Sequence, residues 1–279
     1  MRIWQADFYR RPLQEEAGKP LWELLICDSA SNFALSAFCS QSQANSTWLA
    51  QQLQQHAQIH KKPDRIQVFR PQSLGLIEAA GKVLGIKVEA TRRTPALKLL
   101  LQERAKEYPI MPNYTGETYN PIALDSPPPV PLPENLWGDG WRFASLPAGD
   151  IEEAFQGRPL PILEMPELLL PLNLGLASTV PVPGVVIDGG RQSMRLAKWL
   201  QDAQPLALNY IAGEPDGLIL EAGLVDRWVV ATFEYSEVKA AAQIYQQRKQ
   251  LSKGLHFLLV QPDDSGMTYT GFWLLNFDR

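Results

Sequence analysis

Acids, imidazoles and guanidinium groups fall in this chain in patterns that could serve phosphodiester chemistry or phosphate binding. Asp216 opens one apolar run, Glu234 ends the next, and Lys239 follows five residues later. Two acids and a lysine that converge could hold a divalent metal and place water for metal-assisted cleavage. Asp7 lies in the first alternating run, yet the helical stretch 48–60 carries no Asp or Glu to complete a second such set. His56 and His60 are four apart and share a helix face, but two ligands without a nearby Cys, Asp or Glu are an incomplete metal site. Imidazoles in a last helical turn are also favoured by the helix dipole. His256 sits in an apolar run and reads as a core or sheet residue. Arg10, Arg11, Arg65, Arg70, Lys87, Arg92 and Arg93 cluster near expected strand ends. Singly each reads as solvated surface charge; together they are the candidates for phosphate contacts. No Ser/His/Asp or Cys/His set is suggested, no catalytic residue is assigned, and neither a metal nor a cofactor is expected.

The 279 residues suffice for two domains with their own cores. No apolar run approaches the roughly 18 to 20 residues of a membrane span. The start, Met1 to Arg11, lacks the apolar core of a signal peptide and reads as a first strand, so a cytoplasmic protein is expected. Cys27 and Cys39 lie in strand-like segments and read as reduced core thiols. Net charge is −4, unevenly divided: residues 1–110 carry 15 Lys and Arg against 10 Asp and Glu, residues 111–190 carry 2 against 10, and residues 191–279 carry 9 against 10. A positive first segment beside an acidic middle can meet a phosphate backbone while the whole protein stays acidic.

Three alternating runs, Ile3–Arg10, Trp22–Cys27 and Phe33–Cys39, predict an antiparallel meander. Asn45 caps a helix to His60, Arg65–Phe69 is a strand, Ser73–Leu84 a helix closed by Gly85, and Ile86–Ala90 a strand. Pro95 opens a helix to Tyr108. This βββαβαβα order resembles the ribonuclease H-like fold. Asp7 stands where that fold's first metal-binding acid would, but Arg70-Pro71 ends the fourth strand, so a binding module without nuclease chemistry is expected. Residues 1–110 thus read as a basic ribonuclease H-like domain. Of the 23 prolines, 15 fall between Pro109 and Pro183, and residues 111–135 read as a semi-rigid, extended linker.

Residues 136–279 read as an α/β domain. Its helix at Gln192–Gln201, strands at Leu206–Ile211, Gly217–Glu221 and Trp228–Phe233, helix at Tyr235–Ser252 and strand at Leu255–Gln261 make an αβββαβ core. That order resembles the restriction-endonuclease-like fold, again expected to be non-catalytic, since Glu234-Tyr235-Ser236 lacks the lysine two residues on. Gly189-Gly190 before a helix could bind a phosphate, although the spacing fits neither a dinucleotide loop nor a P-loop. Residues 159–172, too apolar for water and too rich in proline for a helix, are expected to wrap over the core.

The chain closes on a dense apolar run from Met267 to Phe277. Alternation puts Trp273 and Leu275 on one face and Phe272 and Leu274 on the other. As an added strand it is expected near a sheet edge, with one face covered and the other available. Either both faces are core, or Trp273 offers a stacking surface to single-stranded nucleic acid. Ile3–Arg10 with Trp22-Glu23-Leu24, Gly254–Leu259 and Trp273-Leu274-Leu275 together resemble the Tab family of RNA-binding proteins of cyanobacteria and chloroplasts. The resemblance spans nearly the whole chain. It implies binding of single-stranded A/U-rich RNA in support of translation and assembly of photosystem I reaction-centre subunits, with photosystem II as a further client. It implies contact with the translation or assembly machinery, a peripheral place near thylakoid membranes, and importance of Trp273, Leu274 and Leu275 for RNA binding. The alternatives are a metal-dependent nuclease using Asp216, Glu234 and Lys239, and a protein-only assembly factor docking through the proline-rich span.

Overall fold

The computed structural model describes residues 1–30 and 32–276, which divide into two compact units, one from Met1 to Asp125 and one from Ser126 onward. The division falls inside the stretch expected as a spacer. Its upstream part is bound to the first unit: Gln14 N–H donates to Asn113 O and Thr115 N–H to Pro12 O, both at 3.0 Å. Its downstream part, β6 below, joins a sheet of the second unit. A proline-rich backbone lacks N–H donors but keeps its carbonyl acceptors, which neighbouring donors here fill.

In the first unit β1 (Ile3–Gln14), β2 (Pro20–Asp28) and β3 (Ala34–Ser40) form the meander, followed by α1 (Ser46–His60), β4 (Arg65–Val68), α2 (Pro71–Leu84), β5 (Lys87–Ala90) and α3 (Pro95–Glu107). The sheet order is β3-β2-β1-β4-β5, with β4 and β5 parallel to β1. Local chemistry accounts for the boundaries. Asn45 accepts from Trp48 N–H, Pro71 and Pro95 open their helices, and Gly85 closes α2 in the left-handed conformation. Trp4, Ala6 and Phe8 alternate onto the face packed against α1 and α2, while Leu25 and Cys27 of the opposite face pack against α3. Cys27 and Cys39 are buried, and burial first, then Asp28 and Glu15 respectively, pushes their thiols up to about 12 and about 11. Both are inert at neutral pH.

The second unit contains β6 (Val130–Pro131), β7 (Gly140–Pro147), α4 (Ile151–Gln156), β8 (Ile162–Glu164), β9 (Pro181–Asp188), α5 (Ser193–Ala203), β10 (Pro205–Ile211), β11 (Asp216–Ala222), β12 (Asp226–Phe233), α6 (Ser236–Leu251), β13 (His256–Gln261) and β14 (Gly271–Leu275). Its strands form two sheets, β10-β11-β12-β6 and β7-β9-β13-β14-β8. The meander β10-β11-β12 thus hydrogen-bonds apart from the strand after α6, since β13 pairs with β9. Within the stretch expected to wrap the core, Ile162 and Leu169 are buried.

The closing strand, β14, lies one strand in from a sheet edge, as expected, beside the edge strand β8. Its five residues pair with β13 and the first three, Gly271 to Trp273, also with β8; Phe277 of the expected strand is outside the described residues. Trp273 and Leu275 enter one hydrophobic core; Phe272 and Leu274 enter another, where Phe272 stacks on Phe155 with ring centroids 3.8 Å apart. Trp273 is 1% exposed and covers Gly271, where any Cβ would lie 2.4 Å from the indole. Of the two readings of this strand, the structure has the one in which both faces are core. Trp273→Ala should therefore lower stability by about 3–5 kcal/mol in chemical denaturation.

His256 is buried in β13, its Nε2 accepting from Leu208 N–H at 2.8 Å and its Nδ1 bonded to Gly254 O at 2.8 Å. Burial, then the charge of Lys249, holds it well below the usual histidine range, so it folds neutral. Because the unfolded chain takes the proton first, stability should fall as pH drops below about 6.5, by up to about 1.4 kcal/mol per pH unit. Urea unfolding from pH 7.5 to 5.5 should show that slope, and His256→Gln should flatten it.

Candidate nucleic-acid interface

The strand period that sets Leu25 and Cys27 against α3 also sets Asp7 and Glu23 inside the first unit, with side chains 0% exposed. Both carboxylates are saturated. Arg11 Nη1 meets Asp7 Oδ2 at 3.0 Å, Arg70 Nε meets Oδ1 at 2.9 Å, and Ser73 Oγ donates to Oδ1 at 3.2 Å. Glu23 accepts from Arg11 Nε at 3.0 Å, Arg104 Nε at 2.9 Å, Tyr108 OH at 2.5 Å and Ser36 Oγ at 2.6 Å. Burial works against the Arg11 charge, but Asp7, Tyr119, Tyr108 and Glu23 outweigh it and hold the guanidinium above its ordinary range. Asp7 thus faces guanidinium groups where a metal-binding acid would face a cation, and the arginine after β4 supplies one of them. Arg11 and Arg70, expected at phosphates, are each only 3% exposed because these buried acids require them.

Arg70 also donates to Pro121 O at 2.7 Å and Ala123 O at 3.2 Å, and its guanidinium lies 4.3 Å from the Tyr9 ring centroid. Arg11 Nη1 reaches Tyr119 OH at 2.8 Å. These groups form the inner wall of a polar cleft of about 600 Å³, also lined by Arg10, Gln72, Thr118 and Asn120. The cleft lies at the carboxyl ends of the parallel strands, the usual ligand side of an open α/β sheet. Arg10 is exposed there, and half-buried Arg92 and Arg93 follow β5 at the same end. Arg65 and Lys87 begin β4 and β5, so they stand at the opposite end, with Arg65 paired to Glu89 at 2.9 Å. The basic residues expected to act together are split between two ends of one sheet.

In the second unit Asp216 accepts from Gly213 N–H at 3.0 Å and Tyr210 OH at 2.7 Å and lies 3.5 Å from Lys239. The Gly213 amide first, then Tyr210, holds its carboxyl below the usual range. Glu234 is exposed, and no group of three or more His, Cys, Asp or Glu side chains among the described residues is placed to hold a metal. Gly190 adopts φ +53°, and a Cβ there would lie 2.2 Å from the Asp139 carboxylate. That acid occupies the approach to α5 where a phosphate was considered. Trp273, Leu274 and Leu275 are core residues, as described above.

Sequence reading missed two exposed aromatics of this unit, Trp137 and Tyr235, at 57% and 80%. Each lines an apolar cavity, of about 520 and 530 Å³ respectively, and Trp141 and Thr232 line both. The Trp137-Gly-Asp-Gly-Trp141 spacing was the available signal: two large rings held apart by glycines and an acid.

Removing one partner of the buried charge cluster leaves the others uncompensated. Arg11→Met should destabilise the protein by about 3–5 kcal/mol in denaturant titrations, whereas Arg10→Met, at the exposed neighbour, should stay within about 0.5 kcal/mol of the parent.

Residues 3–104 match the family model described as RNA-binding protein Tab2/Atab2 N terminal, and residues 119–276 match RNA-binding protein Tab2/Atab2, C-terminal domain. The chain is 32% identical over 280 residues to the Zea mays Protein TAB2 homolog, chloroplastic, covering 99% of this chain and 71% of that protein. To the Arabidopsis thaliana protein of the same name it is 31% identical over 281 residues, covering 99% and 74%. Among solved structures, the HTLV-2 integrase catalytic core domain with magnesium, in its dimeric form, is 19% identical over 40% of this chain and 77% of its own, with a TM-score of 0.27, too loose to say anything of function. Both halves of the chain match, and the two plant relatives align along nearly all of it: the protein belongs to the Tab2/Atab2 family of RNA-binding proteins.

Proposed function

We propose that this protein binds single-stranded A/U-rich RNA and so promotes translation and assembly of photosystem I reaction-centre subunits, with photosystem II as a further client. Membership of an RNA-binding family is the observation that carries the reading. No catalytic step belongs to it. The plant relatives are named chloroplastic, and no helix among the described residues here is long and apolar enough to cross a membrane. The proposed place of action is the cytoplasm of a cyanobacterial cell beside the thylakoid, in contact with the translation or assembly machinery. The strand order β3-β2-β1-β4-β5, with β4 and β5 parallel to β1, supports a ribonuclease H-like reading of the first unit.

The phosphate-contacting surface in this reading is the polar cleft at the carboxyl ends of β1, β4 and β5, with Arg10, Arg92 and Arg93 meeting the backbone. Arg11 and Arg70 act from beneath, holding the cleft wall in place. Ion pairing with phosphates releases counterions, so binding to an A/U-rich oligonucleotide should weaken linearly in log–log plots against salt. Arg10→Ala should reduce that slope by about 0.7, the single-strand value per contact, while Arg65→Ala at the far end of the sheet should leave it unchanged. Fluorescence anisotropy over 50–300 mM salt (about the range that resolves such slopes) makes the comparison. No binding at the lowest salt, or a salt-independent signal, would sink the reading.

A further inference from the structure

The geometry points to a second RNA contact, one made through bases: the aromatic groove of the second unit, where Trp137 and Tyr235 stack on unpaired bases either side of Trp141. This rests on the RNA-binding reading and deepens it by naming a site and the chemistry it recognises.

The exposure of these rings is the first observation. In the described part of this unit, Trp137 and Tyr235 are the exposed large aromatics, and they line adjoining cavities that share Trp141 and Thr232. Two rings left in water on one groove lose burial that the fold could have supplied, which is the pattern of an interaction site. Rigidity is the second. Trp137 Nε1 donates to Leu132 O at 2.9 Å and its backbone N–H to Glu134 O at 3.1 Å. The next residue, Gly138, runs so close to β9 that a Cβ would lie 2.6 Å from Asp188 O. The indole is therefore held before any ligand arrives, and a preorganised ring loses little entropy on stacking.

Charge supplies the third. The cationic side chain in the groove wall, Arg142, is already paired with Asp188 at 2.7 Å, and Glu237 also lines the groove. A phosphate backbone finds little here to neutralise it, whereas the π-face of a base needs no counter-charge. The family model for the C-terminal domain of the RNA-binding protein Tab2/Atab2 spans every lining residue. Hydrogen-bonding groups are also at hand. β6 pairs with β12 only at Trp228 and Val229, and among the described residues no strand covers that side of β12 beyond them, where Val230, Ala231 and Thr232 line the groove. The same edge could take an extended peptide, so the test must separate the two ligands.

Full-length protein and a single-stranded A/U-rich oligonucleotide are titrated by anisotropy over the salt series used above. Trp137→Ala and Tyr235→Ala are each expected to weaken binding about five- to hundred-fold with the salt slope unchanged, because stacking releases no counterions. Trp137→Phe should recover part of the loss. Tyr235, at 80% exposure, is the variant least able to disturb the fold, so loss in it alone at an unchanged melting temperature also supports the site. Parent-like affinity in both alanine variants overturns the groove as an RNA contact while leaving the family reading intact. A reduced salt slope would replace stacking by phosphate contact and overturn it too. So would normal RNA binding combined with loss of a protein partner in nuclease-treated pull-downs, which assigns the groove to a peptide. Failure of the parent itself to bind RNA removes this inference and the function together.

Discussion

Two carboxylates buried on one face of a sheet constrain the first unit. Asp7 and Glu23, each with no exposed side-chain surface, could not remain charged there without partners, and the desolvation cost is met by hydrogen-bonded cations. Those partners come from separate places: Arg11 from the same strand, Arg70 from the turn after β4, Arg104 from α3, and hydroxyls from Ser36, Ser73 and Tyr108. Satisfying two acids therefore locks the registry of β1 and β2, the seat of α3 and the entry to α2. It also draws in the proline-rich stretch, because Arg11 and Arg70 have donors left for Tyr119, Pro121 and Ala123.

The same cluster divides labour among the arginines. Arg11 and Arg70 are committed to carboxylates and backbone carbonyls, and they build the wall of the cleft. Arg10, one residue along β1, points the opposite way and stays in water. The alternation of a strand thus separates a structural cation from one able to meet a phosphate, with no difference in residue type.

In the second unit volume is the constraint. The indole of Trp273 lies over Gly271, and the strand between β13 and β8 contributes to two cores at once. Trp273, Leu274 and Leu275 therefore hold the unit together from within its cores. Trp137 and Trp273 illustrate the contrast. Trp273 is closed inside a hydrophobic core with its indole over Gly271, whereas Trp137 has its N–H tied to a carbonyl and half its surface open.

Much was legible in the sequence. Local rules placed the elements of the first unit in order: Asn45 as a cap, Pro95 at a helix start, Gly85 as a stop, and the alternation of Ile3–Arg10 as a first strand, although α2 begins at Pro71, two residues before the expected start. The spacing of Trp273 and Leu275 against Phe272 and Leu274 separated two faces, and stretches spread along the chain indicated the family. Each of these depends on residues within a few positions of one another, or on direct likeness to relatives. Only the tertiary structure decided that both faces of the closing strand are covered, that Arg11 and Arg70 are bound to acids 4 to 63 residues away, and that the meander of the second unit forms its own sheet. Periodicity reports that two faces differ; what covers each face, and which charge finds which partner, is set by segments distant in the chain.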